Sequence, residues 1–223
     1  MTDPSSDQPL GGPPATARRV TIPAARLAKW LDGFADRHGP LDTEAQAEVV
    51  RVRAADGSRA WIEVPFPPFD AGGPRVLTRL GHHVREERTV GVLLVRRGGY
   101  AAGIFEGTRL VSSKVGSSYV QGTTKAGGWS QQRFARRRAN QASAAFGEAA
   151  DVAARILLAE GAGLVTLVTG GDRAAVRTVL ADTRLAPLRG LVAKRFLAVG
   201  DPRLVVLKAT PEQFTAVHIS LDP

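Results

Sequence analysis

The chain has 223 residues, a formal net charge of +9 and no cysteine. A hydrophobic content of 43% is enough for a real core in one or two domains. The lack of cysteine excludes a thiolate nucleophile, a zinc knuckle and a disulfide. No apolar segment opens the chain, and no stretch elsewhere is long enough to cross a bilayer, which predicts a cytoplasmic protein. A pI near 10.9 favours a polyanionic partner.

Two stretches of biased composition divide the chain. Residues 1–17 are rich in Pro, Gly, Ser, Asp and Thr, which predicts a disordered tail. Residues 66–87 begin with a Pro-rich run and are interpreted as a linker. Residues 18–65 are then a helix plus β-hairpin region, and residues 88–223 are a second, larger domain.

The N-terminal region is predicted to contain a helix and a hairpin. Pro23 stands in the first turn of the helix, which ends near Gly39. Asp56-Gly57 is a hairpin turn between two alternating runs. The core residues expected from the helix spacing and from the two tryptophans are Leu27, Trp30, Leu31, Phe34 and Trp61.

Residues 88–223 alternate strands with helices, which indicates an α/β or α+β mixed sheet. Gly98-Gly99 joins the first two strands, and a long helix follows the third. Gly170-Gly171-Asp172 is compatible with a phosphate loop or a strand-to-helix turn, and the turn is favoured because the full glycine fingerprint is missing. The predicted strands are 90–95, 100–105, 109–115, 164–168, 204–207 and 217–221.

The most informative stretch reads KAGGWSQQRFARRR. Gly127 and Gly128 allow positive φ and close backbone approach. Ser130 is a predicted N-cap. Gln131 and Gln132 then fall at a helix start, where side-chain amides and free backbone N–H groups point the same way. The stretch predicts a small amide donor on a flexible tip.

The helix after this tip is predicted to have a basic face and an apolar face. Between Glu106 and Glu148 there is no acidic residue, so every charged side chain of this segment is a Lys or an Arg. Such clustering of positive charge is typical of phosphate binding. The residues that share the basic face at i, i+3, i+4, i+7 spacing are Arg133, Arg136, Arg137 and Asn140. The expected RNA contacts are Lys114, Lys125, Arg133, Arg136, Arg137 and Arg138. The expected core stripe is Ala135, Ala139, Ala142, Phe146, Ala149, Ala153 and Ile156.

The stretch GGWSQQRFARRR resembles the active tip in the central domain of eukaryotic and archaeal class-1 release factors. There a Gly-Gly-Gln tip precedes a Ser and an Arg-Phe-Ala-Arg helix start. The third tip position departs from that pattern, because it is Trp129. The Gly-x-x-Gln of residues 128–131 is similar instead to the Vms-like release factors, called VLRF, and to their bacterial, actinobacterial-type branch. This resemblance covers about residues 88–221 and includes the upstream Gly116-Ser117-Ser118.

The resemblance implies a release-factor central-domain fold with RNase H-like topology. It implies a peptidyl-tRNA hydrolase that acts with the large ribosomal subunit, rRNA and peptidyl-tRNA, as a monomer without a cofactor. Gln131 is favoured as the catalytic residue, and Gln132 stays open. Trp129 either stacks on a base or folds back on the surface. The tip loop implied is Gly127, Gly128, Trp129 and Ser130. No stop-codon-reading domain is recognised, which favours rescue of stalled or split ribosomes in ribosome-associated quality control.

Two other functions stay open at this point. A metal-independent endonuclease that cuts tRNA near its 3′ end would use the same tip. A non-catalytic ribosome- or RNA-binding module would need the basic face but neither glutamine. Metal-dependent cleavage is not expected, because strand 90–95 contains no Asp and a two-metal nuclease needs clustered carboxylates. His82-His83 lacks the spacing of a metal site, so no metal ligand is predicted.

Overall fold

The computed structural model describes residues 10–117, 143–159, 161 and 163–222. Within these ranges the chain forms two compact units. The first contains the residues up to Glu86 and the segment from Thr215 onward, and the second runs from Glu87 to Phe214. Each unit is built on a five-stranded sheet. In the described ranges, no helix combines the length and apolarity needed to cross a membrane.

The first unit is an antiparallel sheet with two helices packed into its core. Its elements are β1 (Arg18–Ile22), α1 (Leu27–His38), β2 (Leu41–Ala45), β3 (Val49–Ala54), β4 (Arg59–Glu63), α2 (Val76–His83) and β10 (Val217–Asp222). The strand order is β1-β10-β4-β3-β2, so the last strand of the chain lies inside the first sheet.

The predicted helix and hairpin of this unit are confirmed. Helix α1 buries Leu27, Leu31 and Phe34, whose spacing places them on one face. Strands β3 and β4 pair as the predicted hairpin. Trp30 stacks on Phe34 with ring centroids 5.2 Å apart, and Trp61 is 5% exposed, so both tryptophans belong to the packed part of the unit.

Three parts of this unit differ from the division made on the sequence. The Gly11 carbonyl, in the stretch 1–17 predicted to be a disordered tail, accepts a 2.7 Å hydrogen bond from Trp61 Nε1. A buried indole N–H needs such an acceptor. Helix α2, with Leu80 fully buried, occupies residues 76–83 of the expected linker. Strand β10 was placed in the second domain, but it pairs with β1 and β4.

The second unit is a mixed sheet. Its elements are β5 (Thr89–Arg96), β6 (Gly99–Glu106), β7 (Arg109–Ser117), α3 (residues 143–159, ending in the π-helix Ala154–Ala159), β8 (Thr166–Gly171), α4 (Arg173–Leu180), α5 (Ala186–Arg189), β9 (Val192–Leu197) and α6 (Leu204–Phe214). The order is β7-β6-β5-β8-β9. Strands β5, β6 and β7 are antiparallel neighbours, while β8 is parallel to β5 and β9 to β8. This arrangement confirms the predicted α/β class and has the strand order of an RNase H-like sheet.

The core of the second unit lies on both faces of this sheet. On one face, Leu93 and Val95 of β5 pack in a cluster with buried residues of α3 and α4. On the other face, α6 contacts β6 and β9, and Phe105 meets Phe214 edge-on with centroids 5.5 Å apart. The sheet is therefore covered on both sides, as its parallel strands require.

Residues 204–207, predicted to be a strand, are instead the first turn of α6. The run LVVL is typical of a buried strand, but Leu204 and Val205 are exposed. The buried positions follow helical spacing and are Leu207, Thr210, Pro211 and Phe214. Pro211 has no N–H for the Leu207 carbonyl, and Thr210 Oγ1 donates to that carbonyl instead, at 2.7 Å.

Candidate nucleic-acid interface

Most of the residues predicted to form the catalytic tip or to bind RNA lie outside the described residues. These are Lys125, Gly127, Gly128, Trp129, Ser130, Gln131, Gln132, Arg133, Arg136, Arg137 and Arg138. The structure shows the last described residue before them, Ser117, and the point where α3 is first described, at residue 143. It also shows Lys114, the remaining predicted RNA contact.

These two points lie at the same end of the second sheet. Ser117, the last residue of β7, pairs with Gly99 at the β5–β6 turn. At the opposite end of the sheet, a Cβ on Gly91 would lie 3.2 Å from Leu157 Cδ2, which places the C-terminal end of α3 beside the start of β5. Glu148, in the first described turns of α3, acts electrostatically on Tyr100, which is next to the β5–β6 turn. The first described turns of α3 therefore lie at the end of the sheet where β7 finishes.

Tyr100 contacts the structure on both sides of residues 118–142. Its ring lies across Gly116, where a Cβ would come within 2.2 Å of the Tyr100 Cζ atom. The side chain is 8% exposed and belongs to the same apolar cluster as the buried face of α3. Burial, and then the negative charge of Glu148, raise the pKa of Tyr100, so its phenol stays neutral at physiological pH. Strand β7 and helix α3 are thus joined through one aromatic ring.

The described turns of α3 confirm the part of the core stripe that they contain. Ala149, Ala153 and Ile156 are buried, and Phe146 packs against the same cluster. The three earlier positions of the stripe, 135, 139 and 142, lie outside the described residues. The apolar period predicted for the long helix therefore holds from residue 146 to residue 156.

Arg184 links α3 to the segment that follows α4. Its Nη1 atom is 2.6 Å from Asp151 Oδ1 on α3, and its Nη2 atom is 2.7 Å from Asp182 Oδ2. Hydrogen bonds from the Arg184 side chain, and then from its backbone N–H, lower the pKa of Asp182 to about 2. The three side chains are partly exposed, so solvent screens the network.

Acid is expected to weaken the Arg184 network. The pKa of Asp182 in the folded chain lies below the ordinary 3.8, so its stabilising effect is complete above about pH 4 and is lost as the pH falls through about 2. Asp182→Asn keeps an acceptor for the Arg184 N–H but cannot titrate. Between about pH 4 and about pH 2, the melting temperature should fall more steeply for the wild type than for this variant. Parallel declines would contradict the assignment.

Lys114 is exposed on β7, which is the outer strand of the second sheet. It pairs with Ala102, whose side chain lies in the cluster under α3. Directly opposed residues of antiparallel strands project to the same face. Lys114 therefore lies on the α3 face of the sheet, and Val115 and Gly116 separate it from Ser117.

Gly170-Gly171-Asp172 is the strand-to-helix turn that the sequence favoured. The two glycines end β8, and Gly171 has φ +99°, which a residue with a Cβ rarely adopts. Asp172 Oδ1 accepts hydrogen bonds from Ala174 N at 2.8 Å and Ala175 N at 3.1 Å, as an N-cap. The cap carboxylate occupies amides that a phosphate loop would offer to its ligand, so this turn does not have the arrangement of a phosphate loop.

Three arginines that the sequence analysis did not single out lie at the end of the sheet that carries Ser117. Arg96 and Arg97 are at the β5–β6 turn, and Arg173 is the first residue of α4. All three are exposed. The sequence signal for the first two was their position directly before Gly98-Gly99. Arg173 had no such signal, because the parallel pairing of β5 with β8 brings it to this end.

The described residues do not show the carboxylate cluster of a metal-dependent nuclease. Strand β5 presents apolar side chains to both faces of the sheet, as expected. No group of three or more His, Asp or Glu side chains in the described ranges is arranged to hold a metal ion. Of the histidine pair, His83 contacts the Pro65 carbonyl oxygen through Nε2 at 2.9 Å and meets the Phe69 ring edge-on, in a structural role.

The second unit is a mixed sheet, and the Gly-x-x-Gln of residues 128–131 lies between β7 and α3 in the sequence. The chain belongs to the Actinobacteria/chloroflexi VLRF1 release factor family, whose model matches residues 88–220, more than half of the chain. The family resemblance found in the sequence is confirmed. The match includes most of β10, which pairs in the first sheet.

Several solved structures are similar to this chain at low identity. The archaeal translation termination factor aRF1 is 18% identical, with a TM-score of 0.39, over 83% of this chain and 55% of its own. Pelota of Archaeoglobus fulgidus is 12% identical, with a TM-score of 0.32, over 87% of this chain and 62% of its own. Dom34 of S. cerevisiae, described as a translation termination-like factor in RNA quality control, is 7% identical, with a TM-score of 0.27, over 89% and 66%. This chain spans about half the length of the archaeal factor. No curated protein matches it.

Proposed function

We propose that this chain is a peptidyl-tRNA hydrolase that cleaves the ester between a nascent peptide and tRNA on stalled or split large ribosomal subunits. Membership in a release-factor family supports a role in translation. The observation that carries the proposal is that Ser117 and the first described turns of α3 lie at one end of the second sheet, joined through Tyr100. The Gly-x-x-Gln of residues 128–131 lies between these two points in the sequence.

The proposed chemistry needs a positioned amide rather than a titrating side chain. Attack of water on the ester carbonyl develops negative charge on oxygen, and preorganised N–H donors stabilise that charge. The carboxamide of Gln131 can donate to the oxyanion or orient the water. Gln132 is the neighbouring candidate for the same role. No cofactor is required, and the RNA of the ribosome supplies the rest of the cavity.

The basic residues are proposed to set affinity and not the chemical step. Contacts to phosphates position a protein on RNA without reading its sequence. Lys114 is the described member of this set, exposed on the α3 face of β7. The other proposed members are Lys125, Arg133, Arg136, Arg137 and Arg138. We propose that the factor acts as a cytoplasmic monomer in ribosome-associated quality control.

The experiment that tests this function follows both products of the reaction. Stalled large-subunit complexes that carry peptidyl-tRNA, labelled in the peptide and in the tRNA, are incubated with wild type, Gln131→Ala or Gln132→Ala. Free peptide with full-length tRNA is the expected result, and it should depend on a glutamine. Peptide that stays attached to a 3′ fragment of tRNA would show the endonuclease instead. Binding with intact peptidyl-tRNA would show a module without catalysis.

A further inference from the structure

We propose that Arg96, Arg97 and Arg173 form a second phosphate-binding surface, the arginine rim, on the folded part of the second unit. The rim contacts RNA backbone at the end of the second sheet where β7 finishes. The identity of that RNA as ribosomal rests on the proposed function. None of the three arginines belongs to the basic face predicted for residues 133–138, so the rim adds contacts to that face.

Sheet register brings the three arginines together. Arg96 pairs with Gly99 across the β5–β6 turn, and Gly99 pairs with Ser117 on its other side. On the opposite edge of β5, Val95 pairs with Gly171, two residues before Arg173. The rim therefore extends from the point where β7 finishes, across the end of β5, to the first turn of α4.

Two of the three guanidinium groups are held in place by neighbours that leave donors available. The Arg173 guanidinium carbon lies 4.1 Å from the centroid of the Phe196 ring. Arg96 Nη1 donates to the Val199 carbonyl at 3.1 Å. A guanidinium has five N–H donors, so neither contact exhausts its capacity for phosphate. An arginine that is already oriented loses less rotamer freedom on binding.

The charge at this end of the sheet is positive. Asp172 is the acidic residue of the β8–α4 turn, and its carboxylate is engaged with two backbone N–H groups. Asp201 and Arg203, in the loop before α6, are of opposite sign. Glu148 of α3 is a second acid near this end, because its charge acts on Tyr100. Among the described residues named here, the three arginines therefore exceed the two acids, Asp172 and Glu148. At the other end of the sheet, Arg109 is paired with Glu106 and offers a matched position of the same residue type.

The test measures binding to purified bacterial large ribosomal subunits as a function of salt concentration. The variants are Arg96→Gln, Arg97→Gln and Arg173→Gln, with Arg109→Gln as the control of equal charge change. Each rim variant should weaken binding and reduce the log–log salt slope by about 0.7 to 0.9 per lost phosphate contact. Arg109→Gln should keep the wild-type slope. Slopes equal to wild type in all three rim variants would overturn the proposal.

Two further variants separate charge from packing. Arg173→Lys keeps the positive charge and should keep the salt slope, although it loses the planar contact with Phe196. If it behaves like Arg173→Gln, then Arg173 acts through packing and is not part of the rim. Asp172→Asn keeps an N-cap residue and removes a negative charge, so it should bind more tightly than wild type.

A second probe, deproteinised large-subunit rRNA, distinguishes RNA from an acidic ribosomal protein. If the salt slope changes with both probes, the rim binds RNA phosphate. If it changes with intact subunits alone, the assignment to RNA is wrong. The rim and the proposed hydrolase are judged by different measurements. If the wild-type protein releases no peptide, the proposed hydrolase activity is wrong. The salt slopes alone decide whether the rim binds phosphate.

Discussion

Replacement of Gln131 by alanine is expected to lower the rate of peptide release by on the order of 10² to 10³. This is the loss found when one positioned donor to a developing oxyanion is removed. Alanine removes the whole carboxamide, and the reaction then depends on the ribosomal cavity and on bound water. The rate is best measured in a single turnover with excess factor on large-subunit complexes that carry labelled peptidyl-tRNA. Under those conditions the chemical step is separated from binding.

Gln132→Ala is the matched control for this prediction, because it removes the same group one residue along the chain. If Gln131 is catalytic, Gln132→Ala should release peptide at close to the wild-type rate. The opposite pattern would move the catalytic role to Gln132 and keep the hydrolase. Two variants with wild-type rates would exclude both glutamines from the reaction.

Affinity should be measured for the same variants, because loss of binding would imitate loss of catalysis. The glutamines are uncharged, so the salt dependence of subunit binding should not change in either variant. By contrast, Lys114→Gln should alter the salt slope and leave the rate at saturation unchanged. This split between the amide and the cation is the kinetic signature of the proposed division of roles.

Gly116→Ala is expected to destabilise the second unit by about 1 to 3 kcal/mol, as for an overpacked core. The added methyl group would lie 2.2 Å from Cζ and 2.4 Å from Oη of Tyr100, both too close for any real contact. The ring is 8% exposed and packed under α3, so it cannot move aside without disturbing that helix. Equilibrium unfolding in urea measures the loss.

A double-mutant cycle with Tyr100→Ala tests the cause of that loss. Truncation of this buried aromatic ring should itself cost on the order of 3 kcal/mol. Once the ring is gone, the methyl group at position 116 has nothing to strike, so the two losses should fall short of additivity by at least about 0.5 kcal/mol. Strict additivity would show that the ring does not constrain Gly116. Gly147→Ala is the control, because a Cβ there meets nothing within 4 Å, and an exposed helical glycine gains about 0.5 to 1 kcal/mol on this change.

Gly116→Ala also links the fold to the proposed activity. Tyr100 joins β7 to α3, and the Gly-x-x-Gln lies between these elements in the sequence. A shift of the strand end by a fraction of an ångström should slow peptide release, by up to about 10²-fold if the reacting geometry moves by about 1 Å. Measured at a temperature where the variant is folded, a wild-type release rate would argue against this coupling.

Local signals in the sequence were sufficient for much of the fold. The β3–β4 hairpin followed from a two-residue turn, and α1 followed from Pro23 and an apolar period. Other elements had no comparable local signal. Strand β9 was missed, and α6 was assigned to a strand because four apolar residues in succession do not distinguish a helix from a strand. Pro211 inside α6 further obscured the helix. The Leu207 carbonyl, which receives no N–H from Pro211, accepts a hydrogen bond from the Thr210 hydroxyl instead.

The chemistry of the candidate site was read from the sequence alone. The glycine pair, the two glutamines, the run of arginines and the family itself need no coordinates, because residue type and spacing define them. The catalytic role proposed for Gln131 therefore follows from the sequence and the family. The structure adds the ring of Tyr100, which contacts both β7 and α3, and the three arginines of the rim.

The sequence by itself determined the family, the alternation of strands and helices, and the tip residues on which catalysis is proposed to depend. These features are set by residue type and by spacing over a few positions of the chain. The tertiary structure alone decided that β10 completes the first sheet, that Gly11 accepts from Trp61, and that Arg173 joins Arg96 at one end of the second sheet. The physical reason is that strand pairing and burial are decided by surfaces from distant parts of the chain, which become adjacent only when the sheets form.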